Sequence, residues 1–255
     1  MTVAITRQVS PRFNECELTH IERTPIDLDL ARIQHHNYVR ALKSLGCGCD
    51  VLELPAEPEL PDSVFVEDTA FILPEVAVIT RPGADSRKPE TESIIQVLSP
   101  LKNLVHLQEP ATLDGGDVLV VGKRIFIGLS TRSNQAAIDQ LNALLGEYGY
   151  SVTGVQMHDC LHLKSAVSRV DDHTLLINKS WLEPHHFQDY RQIEVDPAEP
   201  FAANCLPVGQ SIIYPTSFPK TCARLEEAGY QVLTVDVSEL AKAEGAVTCC
   251  SLIIP

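Results

Sequence analysis

Polar residues able to do chemistry recur along this chain at one phase of a long repeat, and that recurrence narrows the folds open to it. Asp68, Asp114, His162, Asn204 and Cys249 are separated by 46, 48, 42 and 45 positions. After Asp68, apolar runs at 69–73, 76–80 and 104–107 read as three strands, and Ile94, Leu98 and Leu101 form one face of an intervening helix. After Asp114 the strands fall at 117–121, 124–128 and from 151 onward, with Ile138, Leu141 and Leu145 on the helix. After His162 they fall at 164–168, 174–177 and 192–195, but 181–190, with Pro184, makes a poorer helix. After Asn204 they fall at 205–208, 211–214 and 231–235, with a helix from Pro219, suited to a first turn, to near Gly229. Cys249 opens one last apolar strand, on which Cys250 is expected to face the other side.

A period of about 45 residues marks a solenoid or a radial array. The competing reading is ordinary α/β alternation. A polar residue where each apolar strand should begin favours the array. The N-terminus supports it. Val3-Ala4-Ile5, a helix over 30–45 with Tyr38, Ala41, Leu42 and Leu45 on one face, and a strand over 49–54 form a unit that lacks its first strand. The C-terminal run supplies that strand. Five units then close into a ring, which also removes exposed sheet edges.

Composition excludes several alternatives. A hydrophobic content of 44% over 255 residues is ample for a core. A net charge of −14 disfavours phosphate backbones, so nucleic acid is not an expected partner, whereas a small cationic substrate is tolerated. No run approaches the ~18 to 20 apolar residues of a membrane span, and no signal peptide is visible, so the expected location is the cytoplasm. The eight cysteines contain no C-x-x-C pair and read as reduced thiols rather than zinc ligands or disulfides. The loop from Arg12 to Pro25 is polar and long; a lid and a disordered surface loop are equally open readings.

In a closed ring the opening ends of the first strands converge. Glu67, Asp68, Asp114, His162, Asn204 and Cys249 would then surround one cavity. Singly, each has a bland reading: a lone His is usually structural, a lone Cys is usually core, and Asp114-Gly115-Gly116-Asp117 can be only a tight turn. Together they point to chemistry. Several carboxylates at one site are costly unless a cation sits among them, and a planar guanidinium forks well onto carboxylates. Metal is the rival cation, but one thiol, one imidazole and oxygen ligands form no familiar closed set. Attack by Cys249, with His162 as acid and base, is the more economical reading. Nearby carboxylates should keep the empty site's Cys249 a neutral thiol until an arriving cation lowers its pKa.

These residues lie in stretches that resemble the dimethylarginine dimethylaminohydrolase family of guanidine-modifying enzymes. The stretches are 61–68 (PDSVFVED), 79–84 (ITRPGA), 112–118 (TLDGGDV), 161–165 (LHLKS), 202–205 (AANC) and 245–251 (GAVTCCS), in family order across nearly the whole chain. The resemblance implies a pentein fold: a five-bladed ββαβ propeller with pseudo-fivefold symmetry, closed by the N- and C-terminal strands, over 1–255 as a single domain. It implies hydrolysis of Nω-methylated and Nω,Nω-dimethylated L-arginine to L-citrulline and methylamine or dimethylamine, through an S-alkylthiouronium on Cys249, with no cofactor. His162 would protonate the leaving amine and then activate water. Asp114 would orient His162 and help hold the guanidinium. Glu67 and Asp68 would bind guanidinium nitrogens, Asp62 another part of the substrate, and Arg87 and Arg132 its α-carboxylate. Leu18 would belong to the lid, and Ala243 would offer a backbone carbonyl. Asp114 stands where some microbial relatives carry glutamate, and Lys164 where related arginine deiminases carry an aspartate that holds an unsubstituted nitrogen. The second difference favours methylated over free arginine. Three readings stay open beside this one: hydrolysis of free arginine or another guanidino compound, a non-catalytic binder of arginine-like ligands, and adventitious inhibitory zinc on Cys249 and His162. The oligomeric state, a homodimer included, is likewise open.

Overall fold

The fold follows the period. A computed structural model describes residues 2–45 and 50–254; Cys49, expected to open a strand, lies outside them. In chain order the strands are β1 (Val3–Arg7), β2 (Asp50–Leu54), β3 (Ala70–Ile72), β4 (Val76–Ile79), β5 (Asn103–His106), β6 (Val118–Val121), β7 (Arg124–Leu129), β8 (Ser151–Gln156), β9 (Val167–Arg169), β10 (Thr174–Ile177), β11 (Arg191–Glu194), β12 (Leu206–Val208), β13 (Ser211–Pro215), β14 (Gln231–Val235) and β15 (Leu252–Ile254). They form five three-stranded sheets: β3-β4-β5, β6-β7-β8, β9-β10-β11, β12-β13-β14 and β15-β1-β2. Every first strand is antiparallel to the second, and every second is parallel to the third. The fifth sheet is built from both ends of the chain: Ile5 pairs with Leu252 and Val3 with Ile254. This is the pentein arrangement of five ββαβ units.

A parallel second and third strand need a crossover, which is helical in four units: α1 (Leu28–Ser44), α2 (Glu90–Leu98), α3 (Gln135–Leu145) and, after the short α4 (Leu163–Ala166), α5 (Pro219–Glu227). Local chemistry sets their ends. The Asp27 carboxylate caps α1 by accepting from the Asp29 and Leu30 amides, and Asn134 caps α3. Gly229, at φ 97°, ends α5 in a left-handed turn that brings the Tyr230 amide back to the Leu225 carbonyl. α2 stops at Leu98, so Leu101 lies beyond the helix and is half exposed. The β9-β10-β11 unit has only a 3-10 turn, Pro184–Phe187, matching its poor helical pattern.

Three expectations about the strand openings are corrected. The polar anchors do not begin strands; each sits at a turn just before one. Asp68 lies in the 3-10 turn Val66–Thr69, and Asp114 precedes the 3-10 turn Gly115–Asp117. The strand expected at 164–168 begins instead with α4, because the Leu163 amide donates to the buried Asp117 carboxylate at 2.9 Å and the Ser165 amide returns to the His162 carbonyl at 3.0 Å. Cys249 and Cys250 belong to a turn closed by Cys249 N to Ala246 O at 3.2 Å. Cys250 is therefore not a strand residue opposite its neighbour; its thiol is fully buried and reaches the Ala246 carbonyl. The Tyr38 hydroxyl of α1 ties this turn down, donating to the Val247 carbonyl at 2.8 Å and bonding the Ser251 hydroxyl at 2.7 Å.

The first strands do converge. A cavity of about 550 Å³ is lined by Phe71 of β3, Leu119 of β6, Ser168 of β9, Leu206 of β12 and Leu252 of β15. The main cores lie between neighbouring units, as where Tyr38 and Leu42 of α1 pack with Val235 and Leu240. Among the described residues no helix is long and apolar enough to cross a membrane.

Candidate active site

The turns before the first strands bring Asp68, Asp114, His162 and Cys249 into one small cavity, together with Asp62, Arg87, Arg132 and Ala243. His162 is the hub. Its Nε2 bonds Asp114 Oδ2 at 3.1 Å, and its Nδ1 lies 4.0 Å from Asp68 Oδ1. The other Asp114 oxygen accepts the Gly83 amide at 2.8 Å, which fixes the carboxylate's angle. Gly116 lets the imidazole in: a Cβ there would stand 2.5 Å from His162 Nδ1 and 2.9 Å from Asp68 Oδ1. So the glycine pair of the Asp-Gly-Gly-Asp turn serves close approach as well as turning.

Arg87 is buried and bidentate to Glu90, from Nε at 3.1 Å and Nη2 at 2.8 Å, while its Nη1 donates to Asp68 Oδ2 at 2.5 Å. Burial would raise the Asp68 carboxyl, but His162 and Arg87 outweigh it and hold the group at about 2. Burial alone would lower the His162 pKa; the Asp68 charge and the Asp114 hydrogen bond reverse that and carry it to about 9. Burial, then Glu67, then Asp68 push the Cys249 thiol up to about 12. The site at neutral pH therefore pairs a neutral thiol with an imidazolium. Cys249 Sγ accepts the Ala246 amide at 3.4 Å.

Three expected residues are placed elsewhere. Asn204 does not line this cavity but a neighbouring one, with Ser165 and Phe218. Glu67 does not line this cavity: its oxygens take Lys164 Nζ at 2.5 Å and the Thr248 hydroxyl at 2.8 Å, on the side of the larger axial cavity. Leu18 does not line it either and packs half-buried against the core that contains Phe13 and Phe65. The loop that carries Leu18 is nevertheless a cover. The Glu17 amide donates to Asp62 Oδ2 at 3.1 Å, Arg132 Nη2 to the Thr19 hydroxyl at 3.1 Å, and the Thr19 and His20 amides to the Glu244 carboxylate at 2.6 and 2.9 Å.

Residues 12–185 match the model of the family described as N,N dimethylarginine dimethylhydrolase, eukaryotic. The chain is 38% identical to the N(G),N(G)-dimethylarginine dimethylaminohydrolase of Pseudomonas aeruginosa over 222 residues, covering 86% of each. It is 39% identical to that of Streptomyces coelicolor over 251 residues, covering 98% of this chain and 95% of the relative.

The chain belongs to the dimethylarginine dimethylaminohydrolase family.

Solved structures agree. The P. aeruginosa enzyme, as a cysteine-to-serine mutant complexed with citrulline, superposes with a TM-score of 0.93 at 34% identity, covering 99% of this chain and 98% of that one. A histidine-to-glycine dimethylarginine dimethylaminohydrolase, as an adduct with S-methyl-L-thiocitrulline, also gives 0.93 at 34% identity, covering 99% of both chains.

Sequence reasoning missed three residues in or beside this cavity. Asp117 is fully buried and holds α4 through Leu163 while accepting the Ser130 and Ser133 hydroxyls at 2.7 and 2.6 Å; burial pushes its carboxyl to about 6. Its signal is a second acid flanking the glycine pair, but position 117 also fits the first residue of an apolar strand. Glu17 and Glu244 line the cavity from loops whose polar pattern carries no period. Asp68, Asp114 and His162 offer ligand atoms within 4.8 Å of one another and, among the described residues, are one of two groups able to hold a metal; Cys249 is not part of it. The carboxylates already accept Arg87, Gly116, Gly83 and His162, so an ion there would have to displace protein partners.

Proposed function

We propose that this chain, acting as one propeller domain, hydrolyses Nω-methylated and Nω,Nω-dimethylated L-arginine to L-citrulline and methylamine or dimethylamine. The observation that carries this reading is the lining of one small acidic cavity by Cys249, His162, Asp114 and Asp68. The names of the relatives, and the citrulline in the P. aeruginosa complex, support the same substrate and product.

Asp68 and Asp114 meet the guanidinium, and Glu67 adds negative charge from beneath. Arg132 grips the α-carboxylate, while Arg87, engaged with Asp68 and Glu90, supplies positive charge at the same wall. Asp62 and the Ala243 carbonyl receive the α-ammonium, and the loop around Leu18 covers it. The guanidinium cation takes the place of missing positive charge beside Cys249 and lowers the thiol's pKa, so thiolate forms as its proton leaves to solvent. The thiolate attacks the guanidinium carbon. His162 gives its proton to the departing amine, which leaves behind a cationic S-alkylthiouronium. Neutral His162 then takes a proton from water, whose oxygen attacks the same carbon; as the C–S bond breaks, the second water proton passes from that oxygen to the departing sulfur, and citrulline, neutral Cys249 thiol and protonated His162 result.

Steady-state kinetics on arginine, monomethylarginine and asymmetric dimethylarginine, with citrulline detected, test the substrate. Turnover of the methylated substrates with little of arginine is expected, since position 164 offers a lysine, engaged with Glu67, instead of a carboxylate that would hold an unsubstituted nitrogen. Arginine turned over as fast would make this a deiminase. Ligand bound without citrulline would make it a binding protein.

The imidazole's charge is separately measurable. His162 has a folded-state pKa of about 9 against an ordinary 6.5. Because the folded value is raised, the stability it contributes is fully present below 6.5 and is lost as pH rises through 9. In the free protein an NMR titration should find this imidazole protonated at pH 7, and Asp114→Asn should lower its midpoint. A midpoint unchanged by that substitution would remove Asp114 from the role of orienting partner.

A further inference from the structure

Asn204 occupies the repeat phase of the acid, the base and the nucleophile, yet the reaction above gives it no step. It is 4% exposed, and its amide is fully used. Nδ2 donates to the Lys164 carbonyl at 3.1 Å and to the Thr248 hydroxyl at 2.9 Å, while Oδ1 accepts the Thr248 amide at 3.1 Å. Only this orientation of the amide satisfies all three partners. The Thr248 hydroxyl passes its own proton to Glu67 Oε2, and Lys164 Nζ closes the circuit on Glu67 Oε1. Glu67 also donates its backbone amide to the Cys249 carbonyl at 3.2 Å.

The circuit joins the turns that open four of the five units. One carries the nucleophile at Cys249, next to Thr248; another carries the base at His162, two residues before Lys164. We infer that Asn204 is a positioning residue: it fixes the spacing between the Cys249 turn and the His162 turn through a closed ring of hydrogen bonds, buried around Thr248 and part-buried at Lys164. The inference rests on the proposed roles of Cys249 and His162. An apolar side chain at 204 would leave the Lys164 carbonyl and the Thr248 amide unpaired. An aspartate would lose both donors and place a negative charge against a carbonyl. Either change frees two turns whose relative position decides how thiolate, imidazole and substrate carbon line up. Asp62, Asp68 and Arg132, which bind the substrate, are held by other contacts.

The test is kcat per active site, counted by stoichiometric alkylation of Cys249, for Asn204→Ala and for Thr248→Val, which removes only a hydroxyl. Each should lower kcat per site by up to about 100-fold, as a misplacement near 1 Å can, with KM within about twofold. Thr248→Ser should restore most of the loss. The double variant should lose little more than either single one, since both break the same ring. A fold that merely lost stability would reduce the number of titrated sites and leave kcat per site unchanged; that outcome, or wild-type kcat in Thr248→Val, overturns the inference. Cys249→Ser run alongside keeps the two readings apart. If it stays active, the proposed reaction fails; if it is dead while the Asn204 and Thr248 variants are fully active, only the clamp fails.

Discussion

Cys249→Ser is expected to lower kcat/KM for asymmetric dimethylarginine by more than about 10⁴-fold while leaving thermal stability close to that of the parent. The two halves have separate causes. Serine is nearly the same size, and the turn that holds Cys249 is closed by backbone bonds and by Tyr38 at residues 247 and 251, none of which needs sulfur. Chemistry is different. Burial, Glu67 and Asp68 hold the empty-site thiol at about 12, so the cation must supply the whole shift that makes a nucleophile. A guanidinium at contact distance lowers the pKa of a thiol that starts near 12 and so raises its thiolate fraction; a hydroxyl, several units less acidic, starts too high for the same cation to ionise it. The same argument predicts that thiolate absorbance against pH has a much lower midpoint with a non-reactive guanidinium ligand than without one. Equal, low midpoints in both states would show that the protein alone activates the thiol. A serine variant with substantial turnover would show that Cys249 is not the nucleophile.

The architecture was legible because every unit repeats one pattern of apolar strands, and because five polar residues mark its phase. Pairing of β15 with β1 could be read from two incomplete ends, since each lacked what the other had. Less visible was the route by which the anchors reach the axis. Four-residue stretches such as Leu163–Ala166 fit a strand pattern as well as a helical turn, and the decision came from the carboxylate of Asp117, a partner 46 positions away. Charge partners were hidden for the same reason. Glu67 beside Asp68 reads as a second ligand for a cation, but Lys164, 97 positions away, occupies it. Position in a repeat says which residues approach the axis; it does not say on which side of the nucleophile each one ends. The covering loop illustrates a third limit. Its anchors are single amides donating to Asp62 and Glu244, and such bonds leave no periodic trace in composition.

Deleting residues 252–255, which leaves Cys249 and Ser251 in place, should do what Cys249→Ser does not: unfold or severely destabilise the chain. β15 is the first strand of the fifth sheet, antiparallel to β1 through Val3, Ala4 and Ile5, and it packs beside β3 of the next unit. Leu252 and Ile254 are 3% and 7% exposed, in a core with Ile5, Val66, Ala70 and Ile79. Burying two such side chains contributes about 3 to 6 kcal/mol. That is comparable to the ~5 to 15 kcal/mol by which a whole domain is stable, before the exposed edge of β1 and the opened ring are counted. A loss of this size should appear as a fall in Tm of about 6 to 24 °C, or as failure to recover soluble protein, on the scale of about 2 to 4 °C per kcal/mol for a chain of this size. Substituting Leu252→Ala alone, at about 2 to 5 kcal/mol, gives a milder version that should still fold and report the same direction. If the truncated chain melted within a few degrees of the parent, the terminal strand would be an appendage to a ring held closed by other contacts, and its pairing with β1 would not be what brings Cys249 beside His162.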